Sequence, residues 1–355
     1  MRMTFLTRLL AVVWWTSPLV APAQTDPTYA EKLGWQKGDR VVILHIDDAG
    51  MSYDSNQGVI QALEKGVANS VSVMMPCPWV PGFVKYLRQH PGVDAGLHLT
   101  LTSEWQDYRW GPLVGTAAPG LVDDEGALWP GVSQVVQHAT PDEVEAEIRA
   151  QLHRARRMGF EPTHLDSHMG TLFASPAFLE RYVKVGSENG IPVMFPGGHD
   201  ALLIRQLQAD AIAKRQREGS YQEGQTLPVP AEIIRGRELG KALWQAGLPV
   251  LDDLHNTSYG WALPKGVTPT DENLRKMKTG KYIEAMRSLR PGVTMVIMHC
   301  TAPTEVFPHI SNSGDSRKGD LLAMLDPALR QCIREEGLIL TTWRELKERR
   351  NRAQK

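Results

Sequence analysis

Residues 41–52, VVILHIDDAGMS, run a β-branched apolar stretch straight into two adjacent acids, Asp47 and Asp48. Neighbouring carboxylates repel each other and resist burial, so a cation is the natural compensation. Three further apolar runs end in ionisable groups: Gly96-Leu97-His98, His164-Leu165-Asp166-Ser167-His168 and Met298-His299-Cys300. One carboxylate and two imidazoles make a facial ligand set for a divalent ion, with positions left for water and substrate. The second carboxylate can then serve as a base toward water, and a separate His across the site can protonate a leaving group. A single His at a strand end is usually structural, and an Asp pair is often a turn. The coincidence over four segments carries the reading.

These groups need strands to aim them. Apolar or β-branched runs predict strands at 41–46, 67–75, 93–101, 163–168, 191–195, 248–254 and 293–300, and in LILTT near the C-terminus. Helical spacing and capping residues predict helices at 54–65, 80–89, 141–158, 176–189, 270–288 and 319–335, a helix-rich polar stretch at 199–245 and a basic final helix. Residues 103–140 are loop-rich and carry Trp105, Trp110 and Trp129, which suit sugar stacking or, slightly better, loop packing. The alternation predicts parallel strands with crossover helices in one α/β domain, barrel-like rather than an open doubly wound sheet. Active residues then gather at the carboxyl ends of the strands. Strand parity places His164, Asp166 and His168 on one face. It cannot place Asp47 and Asp48 on one face without a bend, expected at Ala49-Gly50. His199 and His255 are further pocket candidates; His90, His138, His153 and His309 read as surface or structural.

With 355 residues, 42% hydrophobic and 22% charged, the chain has ample material for a core. A formal charge of −1 supplies no field that would draw in nucleic acid. Residues 1–23 read as a cleavable signal peptide, with Arg2 and Arg8 before an apolar stretch and Ala21-Pro22-Ala23 before Gln24. The mature chain would be secreted or periplasmic, with no membrane span. Residues 24–37 form a lead-in and 38–350 the domain. Cys77, Cys300 and Cys332 allow one disulfide or three free thiols.

The segments HIDDAGMSYDSNQGVIQALEKGVANSVSVMM, GLHLTLT and EPTHLDSH, in this order, resemble the YdjC-like carbohydrate deacetylases, also called the chitooligosaccharide deacetylase family. The resemblance is specific over residues 40–190 and looser to VIMHC. It implies a NodB-like deformed (β/α) barrel and metal-dependent removal of N-acetyl groups from an amino sugar or oligosaccharide. It further implies one divalent ion, Mg2+ or Zn2+, held by Asp48, His98 and His168, with Asp47 as base and His299 as acid. His164, Asp166 and His45 fall in supporting or substrate-facing positions. Two departures concern the pocket. His45 stands where relatives often have Asn, and Met169-Gly170-Thr171 replaces a run of histidines after His168. A metal-dependent phosphoesterase would want more bridging acids, and a non-catalytic carbohydrate-binding protein would have no need of a spare carboxylate at Asp47.

Overall fold

The computed structural model describes residues 26–222, 224–225 and 227–354. The expected signal peptide lies outside them. Among the described residues no helix is long and apolar enough to cross a membrane.

The elements follow the expected alternation. A one-turn helix α1 (Tyr29–Lys32) precedes β1 (Arg40–Ala49), α2 (Tyr53–Lys65), β2 (Ser70–Val73), α3 (Val80–Gln89) and β3 (Ala95–Leu99). The tryptophan-bearing loop holds two short 3-10 turns and α4 (Val132–His138). Then come α5 (Pro141–Arg157), β4 (Leu165–Ser167), a 3-10 segment (His168–Phe173), α6 (Pro176–Glu188), α7 (Ala201–Arg217) and α8 (Ala231–Gln245). The chain closes with β5 (Asp253–His255), α9 (Asp271–Ser288), β6 (Gly292–Met298), α10 (Gly314–Leu325), α11 (Pro327–Glu335), β7 (Ile339–Leu340) and α12 (Trp343–Ala353).

Local chemistry sets the helix ends. Thr140 and Glu143 form a reciprocal capping box at the start of α5, with Pro141 in the first turn. Ser52 accepts from the Ser55 amide at the start of α2. The single helix expected at 319–335 is two helices, and the first begins at Gly314. Pro327 forces the residue before it out of helical geometry, and Asp326 caps α11 there.

All strand pairs are parallel, in the order β4-β3-β2-β1-β6-β5, with β7 beside the start of β1. The ring closes through the segment expected as a strand at 191–195. It forms only single parallel bridges, Leu165 to Val193 and Pro196 to Leu251. The result is the expected deformed (β/α) barrel, a curled sheet of parallel strands with helices around it.

Parity along the strands separates two environments. Val42, Leu44 and Ile46 of β1, Val71 and Val73 of β2, and Leu97 and Leu99 of β3 face the helices in the main core. On the other face, Val41, Ile43, Val293, Met295 and Ile297 join Trp343 and Leu346 of α12 and Ala30 and Leu33 near α1 to plug the floor of the barrel. Above this apolar floor the interior turns polar, with His45, Ser70, Ser72, His98 and Asp166 all buried.

Candidate active site

Asp48 enters the site through a backbone irregularity. Its φ is +69°, and the β1–β2 register shifts between Ile46 and Ala49. This is a bulge, and Asp is among the few residues that take the left-handed region at modest cost. In a regular strand Asp48 would share the outward face of Leu44 and Ile46. The bend therefore begins one residue before the expected Ala49-Gly50.

The bulge brings Asp48 to His98 and His168. Asp48 Oδ1 lies 3.4 Å from His98 Nε2 and 3.5 Å from His168 Nδ1. One ligand atom from each of the three lies within 4.8 Å of the others. Asp48 Oδ1 is buried with no hydrogen-bond partner, as expected of an atom shaped to face a cation. The opposite ring nitrogens are already engaged. His98 Nδ1 is 2.6 Å from Asp166 Oδ1, and His168 Nε2 is 3.1 Å from Glu104 Oε2. This arrangement suits a divalent ion, because carboxylate partners fix the tautomer that leaves the inner nitrogen as donor atom. Two other Asp/His groups, His45-His164-Asp166 and Asp47-His98-Asp166, also converge. Both would take Asp166, which already supports His98, and His45 and His164 do not line the cavity.

Charge is balanced tightly here. Burial works against the Asp48 carboxylate, but Arg317, then His168 and His299, outweigh it and hold it well below the usual carboxylate range. Arg317 Nη1 donates to Asp48 Oδ2 at 2.7 Å, and its Nε donates to Ser313 Oγ at 2.7 Å. His168 is raised to about 10: burial opposes its charge, while Glu104 and Asp48 favour it. His45 lies 3.0 Å from Asp166 Oδ2 and 3.2 Å from Asp47 Oδ1. These acids overcome its complete burial and raise it to about 9. His164 is lowered by burial and by the charge on His45. It stacks on Trp343 at 5.2 Å. A Cβ at Gly96 would come within 2.5 Å of its ring, so only glycine fits there.

Asp47 faces the opening. Its Oδ1 accepts from Ser72 Oγ at 3.4 Å, and its Oδ2 lies 3.8 Å from His98 Nε2 and 3.9 Å from His299 Nε2. Burial holds His299 below its ordinary value, and Arg317 adds to this against the pull of Asp48. The His299 amide donates to Asp320 Oδ2 at 3.1 Å. Asp320 in turn pairs with buried Lys278 at 2.9 Å and accepts from the Tyr282 hydroxyl at 2.8 Å.

Asp47, Asp48, His98, His168, His299, Glu104 and Arg317 line one end of a cavity of about 1280 Å³. Sequence reasoning missed Glu104, Arg317, Asp320 and Lys278. Glu104 lies shortly past the end of β3, where an acid was findable; Arg317 and the Lys278–Asp320 pair lie inside helices and carry no local signal. His199 and His255 do not line the cavity. Trp110 and Trp129 serve loop packing, donating to Thr102 O and Gly120 O. All three cysteines are free and buried.

The fold is a curled barrel of parallel strands, with acids and imidazoles converging at their carboxyl ends. The chain belongs to the YdjC-like family, whose model, described as YdjC-like protein, matches residues 41–335. It is 30% identical over 318 residues to a carbohydrate deacetylase of Thermus thermophilus, covering 90% of this chain and 97% of that one. It is 33% identical over 133 residues to a chitooligosaccharide deacetylase of Serratia marcescens, covering 37% of this chain and 49% of that one. Among solved structures it resembles an Enterococcus faecalis protein described by a proposed role in cellobiose-phosphate cleavage. That match has a TM-score of 0.64 at 19% identity, over 87% of this chain and 99% of that one, and bears on the fold.

Proposed function

We propose that this protein is an exported, metal-dependent deacetylase that hydrolyses the N-acetyl group of an amino sugar or oligosaccharide. The observation that carries it is the convergence of Asp48, His98 and His168 around an unpartnered carboxylate oxygen, with Asp47 beside them. Asp48 Oδ1, His98 Nε2 and His168 Nδ1 would hold one divalent ion, and two imidazoles favour zinc over magnesium. When bound, the ion supplies Lewis acidity toward the acetyl carbonyl oxygen and toward water.

The chain's own groups then divide the proton work. Asp47 takes the proton of the attacking water as general base. His299 Nε2, 3.9 Å from Asp47 Oδ2, is held neutral at rest by burial. It can accept that proton from Asp47 and deliver it to the departing amine. His45 holds Asp47 and Asp166 in place, and Asp166 and Glu104 orient His98 and His168. The relatives' names support an amide-cleaving hydrolase of acetylated carbohydrate.

The test is metal content by mass spectrometry on protein purified without chelator, wild type beside His168→Ala, with acetate release assayed on N- and O-acetylated glycans. One ion per chain, lost in the variant together with acetate release, supports the proposal. Full metal content and activity in His168→Ala would overturn the ligand assignment. Export is checked by the mass of the mature chain, expected to begin at Gln24.

A further inference from the structure

The cavity that holds the Asp and His cluster has a second, chemically different end. Its volume, about 1280 Å³, exceeds the roughly 300–1,000 Å³ of ordinary small-molecule pockets. Away from the cluster the walls come from α6, α7 and α8. They are lined by Leu179 and Val183 on α6, Leu203 and Leu207 on α7, and Ile233 and Leu239 on α8. Leu203 and Leu207 stand one turn apart, on a single face of α7. That helix buries none of its residues in the core. The charged side chains on this lobe, Glu180, Glu232 and Arg235, are exposed and sit at its rim. A free sugar placed here would meet few partners for its hydroxyls, and each unpaired hydroxyl is unfavourable.

We propose that the substrate is amphiphilic: an acetylated amino sugar at the cluster, carrying a hydrocarbon aglycone that lies in the lobe between α6, α7 and α8. Continuity decides the occupant. The lobe and the cluster are one space, and Met169 and Phe173, on the segment that starts at His168, both line it. A molecule whose acetyl group reaches Asp48 can therefore lay its remainder along the apolar wall of the same cavity. The proposal rests on the deacetylase reading for which end of the substrate is the sugar.

The experiment compares octyl and methyl glycosides of N-acetylglucosamine. Binding is measured by calorimetry on chelator-treated protein, and acetate release on protein loaded with zinc. The octyl glycoside should bind at least about tenfold more tightly than the methyl one, with a kcat/KM higher by a similar factor. Leu207→Gln and Leu239→Gln, at half-buried positions where folding should survive, should each bring the octyl values down toward the methyl values. Equal binding of the two glycosides would overturn the proposal. So would an octyl advantage that persists in both variants. A third arm, N-octanoylglucosamine, overturns it if octanoate is released and this amide, not the octyl glycoside, carries the tighter binding. An octyl advantage without acetate release would support the lobe and sink the deacetylase reading; acetate release with equal binding would do the reverse.

Discussion

Asp48 and Arg317, separated by 269 positions in sequence, form a buried ion pair at 2.7 Å through Oδ2, while Asp48 Oδ1 is left for His98 and His168. One carboxylate thus faces two sources of positive charge, a fixed guanidinium and the proposed ion. Arg317→Met leaves Asp48 without its partner in metal-free protein. A broken buried pair costs about 3–5 kcal/mol, so the variant should melt well below wild type in chelator and gain more from added zinc. Thermal scans with and without metal check this. An equal zinc-induced shift in both proteins would show that the two cations do not share the carboxylate.

Glu104 acts through His168. Its Oε2, 3.1 Å from His168 Nε2, selects the tautomer that leaves Nδ1 facing Asp48. Glu104→Ala is expected to weaken metal affinity about 10- to 100-fold, with Glu104→Gln in between. Competition against a chromogenic chelator reads the affinity directly, and unchanged affinity in Glu104→Ala would remove Glu104 from the site's support.

Lys278 and Asp320 are both fully buried, paired at 2.9 Å, and Asp320 anchors the His299 amide. Lys278→Met should destabilise the fold by about 3–5 kcal/mol, because Asp320 then keeps a buried charge without its counter-ion. Adding Asp320→Asn should recover part of that loss. Urea unfolding of the two variants distinguishes this from simple lost packing, which the second change would not repair.

Glu147 on α5 is fully buried; it accepts from the Val114 amide and from Gln151 Nε2, both at 3.0 Å. Burial raises it from 4.5 to about 7 against the lowering effect of these donors. Between those two values the folded chain keeps a proton that the unfolded chain has released. Stability therefore falls as pH rises through this window, by up to about 3 kcal/mol. Glu147→Gln should flatten the slope between pH 4.5 and 7. Unfolding free energies at several pH values in that range test it, and an unaltered slope would place the titrating group elsewhere.

The sequence carried the chemistry of the strand ends because strands alternate and apolar runs are easy to see. His164 and Asp166 converge as parity placed them, with Nε2 and Oδ2 3.6 Å apart; β1 covers its expected run, while β3 and β6 are shorter than theirs. The acid pair visibly needs a bend, but the expected place, Ala49-Gly50, is one residue late, since a positive φ at the non-glycine Asp48 leaves no compositional mark. Arg317 and Lys278 were invisible because their partners are remote in sequence and each sits on a helix whose polar spacing reads as solvent-facing. Pro327, itself a visible helix breaker, divides the helix expected at 319–335. The region 199–245 was seen as helical, but its cavity-facing side was not. Leu203 and Leu207 look like ordinary core positions until the space they face is known.

The barrel's seam has a consequence for how such a protein diversifies. Residues 199–245 leave and rejoin the barrel beside a single bridge, where Gly197 N donates to Leu251 O at 3.1 Å and Leu251 N to Phe195 O at 3.0 Å. The two ends of this excursion are therefore neighbours, and lengthening or replacing the chain between them adds little closure entropy. The strands and strand ends that carry Asp47, Asp48, His98, His168 and His299 lie outside it. Two walls of the cavity are thus carried on a segment whose length and sequence can change without displacing the Asp and His cluster.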